Sequence, residues 1–169
     1  MTAERDDSRL RGTLFMPCVL DRLVDQNPEM RKEAFSRGIS VVDLRRSVLE
    51  NLWLILNSRS HPQSEAWAGD EEIGRSVLGF GLPDFCGTQH DRVRCERLRR
   101  EIERQIRAFE PRISPDSLSV SFTGGGACDG GTLELEIRGS ISVKPLKDEI
   151  VFRAKLNLES GLSEIAGTN

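Results

Sequence analysis

Within the stretch EPRISPDSL, residues 110 to 118, the spacing of apolar residues changes from a helical to a strand period. Before it, Cys95, Leu98, Ile102, Ile106 and Phe109 recur three or four residues apart, which is one stripe of a helix. After it, Leu118, Val120 and Phe122 alternate with serines. The same alternation continues through Leu133, Leu135, Ile137, Ile141 and Val143, and again through Ile150, Phe152, Ala154, Leu156 and Leu158. Two prolines, Pro111 and Pro115, mark the change, because neither can continue a helix. A chain patterned in this way is an α+β domain, with N-terminal helices packed on a three-stranded antiparallel C-terminal sheet.

Two further helices are expected upstream. In CVLDRLV, Val19, Leu20, Leu23 and Val24 share a face, and Asn27-Pro28 stops the segment. In SVVDLRRSVLENLWLILNSR, positions 41, 44, 48, 52, 55 and 56 are apolar at helical spacing, and Leu49, Trp53 and Leu54 widen the buried stripe. Ser40, three residues before Asp43, resembles a capping box with aspartate in place of glutamate. Thr88, also three before an aspartate, starts the arginine-rich helix that runs to Phe109. Between these helices, Val77, Leu78, Phe80, Leu82 and Phe85 are expected to anchor an irregular glycine-rich segment inward. Residues 1–12 read as a disordered tail, 13–160 as a single domain and 161–169 as a flexible C-terminal tail. The 149–158 strand is the last of the three, and an uncovered strand edge templates another chain's strand. On the outer face of the sheet, Glu134 and Glu136 are placed to meet Arg153 and Lys155.

Composition argues against several chemistries. With 24 basic and 27 acidic residues the net charge is −3, which gives no general attraction for nucleic acid. Arg92, Arg94, Arg97, Arg99, Arg100, Arg104 and Arg107 share their helix with Glu96, Glu101 and Glu103, and tyrosine is absent, so base stacking lacks material. A solvated, salt-bridged helix face or a protein-binding face fits this pattern better. The charged N-terminus MTAERDDSRLRG lacks a signal-peptide core, and no run approaches the length of a membrane span. Cys18, Cys86, Cys95 and Cys128 are scattered, so a cytoplasmic protein with reduced thiols is expected. Cys86, His90 and Cys95 lack a recognised zinc spacing. The glycine run at 124–131 joins two strands without a Gly-Lys-Ser/Thr ending, so no phosphate or dinucleotide cofactor is implied. His61 and His90 adjoin no nucleophile motif.

One pair of carboxylates needs weighing. Glu110 and Asp116 flank a turn and are the candidates for acid and nucleophile of a muramidase-like glycoside hydrolase. The acid of such a pair needs an apolar pocket, whereas Glu110 is neighboured in sequence by Arg104, Arg107 and Arg112, which favour its ionised form. A glutamate at a helix C-terminus also opposes the macrodipole, by about 0.3–1 kcal/mol. Either the charge is incidental to a helix stop, or it is needed for something. Pro111 holds Glu110 in an extended conformation, so Glu110 and Arg112, two residues apart, project to one side. The triplet Glu110-Pro111-Arg112 reads either as a plain helix stop or as a docking corner whose contacts are internal or to a neighbouring subunit, and Val151, Arg153 and Lys155 are candidate contacts on the last strand.

Four segments in order carry a family resemblance: FMPCVLDRLVDQNPE, LRRSVLENLWLILNSR, SVLGFGLPDF and FEPRI. Together they resemble the TssE family of type VI secretion baseplate subunits, which is similar to wedge proteins of contractile phage tails that carry a lysozyme-like label. The resemblance runs from about residue 14 to 160 and departs from the family pattern at a longer 58–72 insertion and an expanded 124–131 hairpin. It implies a structural, non-enzymatic role without cofactor or metal, beside baseplate proteins TssF, TssG and TssK. It further implies strands that template the sheath proteins TssB and TssC, and it maps the family's Glu-Pro-Arg signature to Glu110, Pro111 and Arg112.

Overall fold

A computed structural model of the chain describes residues 15–17, 19–23, 28–29, 38–62, 69–87, 91–123, 131–143 and 146–168. The expected 1–12 tail, Val24, the Asn27 stop, His90 and the 124–130 glycine run lie outside them. By their contacts the residues form two compact units, Met1–Val48 and Leu49–Asn169. Among the described residues, no helix is long and apolar enough to cross a membrane.

In the first unit, helix α1 spans Val19–Leu23 and helix α2 begins at Val41 and runs to Asn57. Ahead of α2, Phe15 and Ile39 exchange backbone hydrogen bonds of 2.9 and 2.7 Å in an isolated antiparallel bridge. The start of α2 follows its capping signal. The Ser40 hydroxyl accepts from the Asp43 N–H at 3.2 Å and donates to the Asp43 carboxylate at 2.7 Å. Leu44 and Val48 are buried as their spacing requires, while Val19 and Leu23 on α1 are exposed.

The second unit holds the rest of α2, a short helix α3 (Glu71–Gly74), a 3-10 turn (Val77–Gly79), helix α4 (Arg92–Phe109) and four strands. These are β1 (Ser119–Phe122), β2 (Thr132–Val143), β3 (Leu146–Asn157) and β4 (Ser163–Thr168), in the spatial order β1-β2-β3-β4 and all antiparallel. The fold class is the expected α+β arrangement, with four strands in place of three. The register aligns Val120 with Ile137, Ile137 with Phe152 and Leu135 with Ala154, so the alternating apolar residues meet on one face. On the other face Glu134 meets Lys155 at 3.4 Å and Glu136 meets Arg153 at 3.8 Å, as expected of cross-strand partners.

Several expectations are corrected. Helix α4 is capped by Asp91, whose carboxylate accepts from the Arg94 N–H at 2.8 Å, and begins at Arg92 rather than at Thr88. Trp53 and Leu54 do not widen the buried stripe of α2: they are 48% and 40% exposed. In the glycine-rich segment Leu82 and Phe85 turn inward, but Val77 is 90% exposed and Leu78 is also exposed. That segment is held from its backbone instead. Gln105, fully buried on α4, donates to the Gly79 carbonyl at 2.7 Å and accepts from the Gly81 N–H at 3.1 Å. Gly79 lies so close to the Gly74 carbonyl that any Cβ there would overlap it. Gly79→Ala is therefore expected to cost about 1–3 kcal/mol through forced backbone movement. Chemical denaturation checks this, and a loss indistinguishable from zero would show that the turn can yield.

The largest correction is at the C-terminus. Residues 163–168, expected as part of a flexible tail, form β4 against β3. Strand β3 is consequently paired on both sides, and the edges of the sheet are β1 and β4. Gly161, at a positive φ of 74°, turns the chain between β3 and β4.

Candidate functional site

The Glu110 corner is built where α4 ends. The Glu110 N–H still donates to the Ile106 carbonyl at 2.9 Å, and Pro111 then prevents the next helical turn. The Glu110 side chain folds inward and is 0% exposed. Its carboxylate accepts four hydrogen bonds. One oxygen takes the Arg112 N–H at 3.2 Å and Nε at 2.7 Å; the other takes an Arg112 terminal nitrogen at 2.6 Å and Asn51 Nδ2 at 2.9 Å. Asn51, on α2, also donates to the Phe109 carbonyl at 3.1 Å, satisfying one of the orphan carbonyls at the end of α4. The charge that opposes the helix dipole is thus held by a two-pronged guanidinium and an amide.

Beyond Arg112 the corner is tied to the sheet. Ile113 bridges Ile141, the Ser114 N–H donates to the Ser140 carbonyl at 2.9 Å, and the Ser140 N–H donates to Ser117 Oγ at 2.9 Å. Gly139 makes room for this approach, since a Cβ there would lie 2.7 Å from Cγ2 of Ile113. Pro111 and Asp116 are exposed. The hydrolase pairing of Glu110 with Asp116 therefore has no accessible acid in this arrangement: one carboxylate is enclosed and the other faces water.

The two edges of the sheet differ. On β1, the Val120 carbonyl points away from β2 and accepts from Arg99 of α4 at 2.8 Å, so the helix blunts that edge. On β4 the direction of each rung follows from the register. The Asn157 N–H donates to the Leu162 carbonyl at 2.9 Å, so in an antiparallel ladder the next pair, Leu156 and Ser163, directs its polar groups outward. Asn57, the last residue of α2, meets that outward rung with its side-chain amide. Its Nδ2 donates to the Ser163 carbonyl at 3.0 Å and its Oδ1 accepts from the Ser163 N–H at 2.9 Å. By the period of two, Ile165 and Gly167 present the following outward rungs, and no hydrogen bond from the other described residues meets them.

Beside this edge lies a groove of about 380 Å³ lined by Leu49, Glu50, Trp53, Leu54 and Ile165. Ile165 is in register with buried Ala154, so the groove continues the core face of the sheet past its last strand. The groove explains why α2 carries more apolar residues than its own buried stripe uses.

Of the residues singled out from the sequence, Glu110, Pro111 and Arg112 form the corner, while Val151, Arg153 and Lys155 lie on the interior strand β3. Arg153 and Lys155 are exposed on the outer face of the sheet. Sequence reasoning missed Asn51, Asn57 and Ile165. The Leu56-Asn57 pair that ends α2 was the one available signal for the edge. Of the cysteines among the described residues, Cys86 is a free thiol and Cys95 carries a disulfide, against the expectation of reduced thiols. Among the described residues no group of His, Cys, Asp and Glu could hold a metal ion.

Helix α4 carries a lattice of ion pairs: Glu96 with Arg99 at 2.8 Å and Arg100 at 3.2 Å, and Glu103 with Arg99 at 3.0 Å and Arg107 at 2.6 Å. The hydrogen bonds from Arg99, helped by Arg100, hold the Glu96 carboxyl down at about 2 from an ordinary 4.5. A carboxylate depressed by folding contributes stability above its unfolded pKa, and loses it as pH falls toward the folded value. Glu96→Gln is accordingly expected to be less stable than the parent at neutral pH, with the gap closing between pH 4.5 and about 2. Urea melts across that window measure it, and a gap independent of pH refutes the assignment.

The family model of baseplate wedge protein gp25 matches residues 42–146. No curated protein and no solved structure matches the chain.

Proposed function

Because the chain belongs to the family of baseplate wedge protein gp25, and is thereby a structural component of a baseplate, we propose that it serves a type VI secretion system as its TssE-type wedge subunit. In this role it works in the cytoplasm, docks on the baseplate proteins TssF, TssG and TssK, and templates the sheath proteins TssB and TssC. The observation that carries the reading is the β4 edge, with open rungs at Ile165 and Gly167 beside the groove of Leu49, Trp53 and Leu54. A sheath strand added there pairs its backbone with β4 and places alternate side chains in the groove.

The corner and the outer face of the sheet take the neighbouring subunits. Glu110 and Arg112 brace the corner from within, Pro111 is its exposed ridge, and Val151, Arg153 and Lys155 lie along one face of β3. The direct test is sheath nucleation by TssB and TssC on reconstituted baseplates, followed by electron microscopy, with the parent protein and with Ile165→Pro. Sheaths that form equally well on the variant would sink the strand-docking reading.

A further inference from the structure

The free edge of β4 is short and bounded. The Ser163 rung is closed by the Asn57 amide, while the outward N–H and C=O groups of Ile165 and Gly167 meet no hydrogen bond from the other described residues. This stretch is complementary to itself. In an antiparallel pair of two β4 strands centred on Ala166, Ile165 of each copy falls opposite Gly167 of the other, so every outward group of these rungs meets an outward group. Centring the pair on Ile165 would instead set Gly167 against the rung that Asn57 already closes. Asn57 thereby selects the register.

The side chains agree with the backbone. On the core face, Ile165 stands opposite Gly167 of the second copy, which has no side chain to obstruct it. On the outer face, exposed Ala166 meets Ala166 across the axis. Residues of such a non-hydrogen-bonded pair come within about 4.5 Å at Cα, which suits a small side chain. The two Glu164 residues lie four positions apart along the pair, about 13 Å, so like charges are not opposed. The two-fold axis is normal to the sheet, and both grooves therefore open on the same side of the joined sheet. There Trp53 and Leu54, 48% and 40% exposed in one copy, are covered by the other. Glu50 stays at the exposed rim of the groove, where solvent screens it from its counterpart.

We propose that the free chain pairs with a second copy of itself, β4 to β4, about a two-fold axis at Ala166. This pairing goes beyond the baseplate reading and needs no baseplate protein. A second copy and a sheath strand compete for the same edge, so self-pairing shields the edge until another strand displaces it.

Sedimentation equilibrium of the full chain, over a range of concentrations, tests the pairing. The mass is expected to rise from 18.9 kDa toward twice that value. Ala166→Glu and Ala166→Lys each set like charges against one another at the axis, and each alone is expected to weaken the pairing by about fivefold. An equimolar mixture of the two variants places glutamate opposite lysine and restores the heavier species, which requires that residue 166 of one copy face residue 166 of the other. Ile165→Pro, lacking the outward N–H, is expected to stay at the lower mass. A mass of 18.9 kDa at every concentration, pairing unaffected by the single changes, or a mixture no heavier than its components each overturns the proposal. A parent chain that never pairs but still nucleates sheaths leaves the strand-docking reading standing, so the two readings fail separately.

Discussion

Arg112→Met is expected to destabilise the protein by about 3–5 kcal/mol, because it leaves the enclosed Glu110 carboxylate without its counter-charge. Asn51 at 2.9 Å and the backbone N–H of residue 112 at 3.2 Å would remain as donors, but these neutral groups cannot replace the two charged hydrogen bonds of the guanidinium. For a domain with a typical stability of about 5–15 kcal/mol, such a loss is a large fraction of the whole. Arg112→Lys restores the charge without the planar fork and is expected to fall between parent and methionine variant. The double change Glu110→Gln with Arg112→Met removes both charges and recovers much of the loss, since the neutral amide costs far less to enclose. Denaturant midpoints of the four proteins decide the matter. A loss under about 1 kcal/mol for Arg112→Met would show that the carboxylate relaxes to water. It also follows that assembly defects caused by changes at Glu110 or Arg112 reflect folding before they reflect docking.

Proline at position 165 is expected to abolish sheath nucleation while leaving the monomer nearly as stable as its isoleucine-to-alanine control. The contrast depends on the direction of one N–H. At Ile165 it points away from β3, where proline removes no ladder bond, as edge strands permit. At Ala166 the N–H points toward Arg153 of β3, so Ala166→Pro breaks the ladder and lowers stability by about 1 kcal/mol or more. If the docked strand uses the β4 edge, Ile165→Ala retains most nucleation, Ile165→Pro loses it, and Ala166→Pro loses both stability and nucleation. If nucleation follows monomer stability across the three variants, the edge has no role of its own. Trp53→Ala adds an independent reading, because the groove loses its aromatic wall without any change in the backbone of β4.

How far these sites could be read without coordinates differs from one to the next. The unfavourable position of Glu110 at a helix end marked the corner and Arg112 was named beside it, but as two groups facing a partner, not as the pair that bonds within the corner. Asn51 was not: 59 residues separate it from Glu110, and nothing in the local pattern of α2 marks one polar residue among several. Strand β4 was missed for a different reason. Its core-facing positions are Ser163, Ile165 and Gly167, and a strand with one large apolar residue in three has almost no alternation to detect. The exposed Trp53 and Leu54 misled in the opposite sense, since an apolar residue at helical spacing is ordinarily buried within its own chain.

The sequence by itself determined the order of elements as far as β3, the period switch at Pro111 and Pro115, the cap at Ser40, the inward faces of the long strands and the ion-pair lattice of α4. All of these arise between residues a few positions apart, where propensity and periodicity act. Only the tertiary structure decided that Glu110 is enclosed by Arg112 and Asn51, and that Arg99 blunts β1 while β4 keeps an open edge beside a groove. Those outcomes depend on which distant segments come together to satisfy buried charges and backbone groups, and no local pattern encodes that choice.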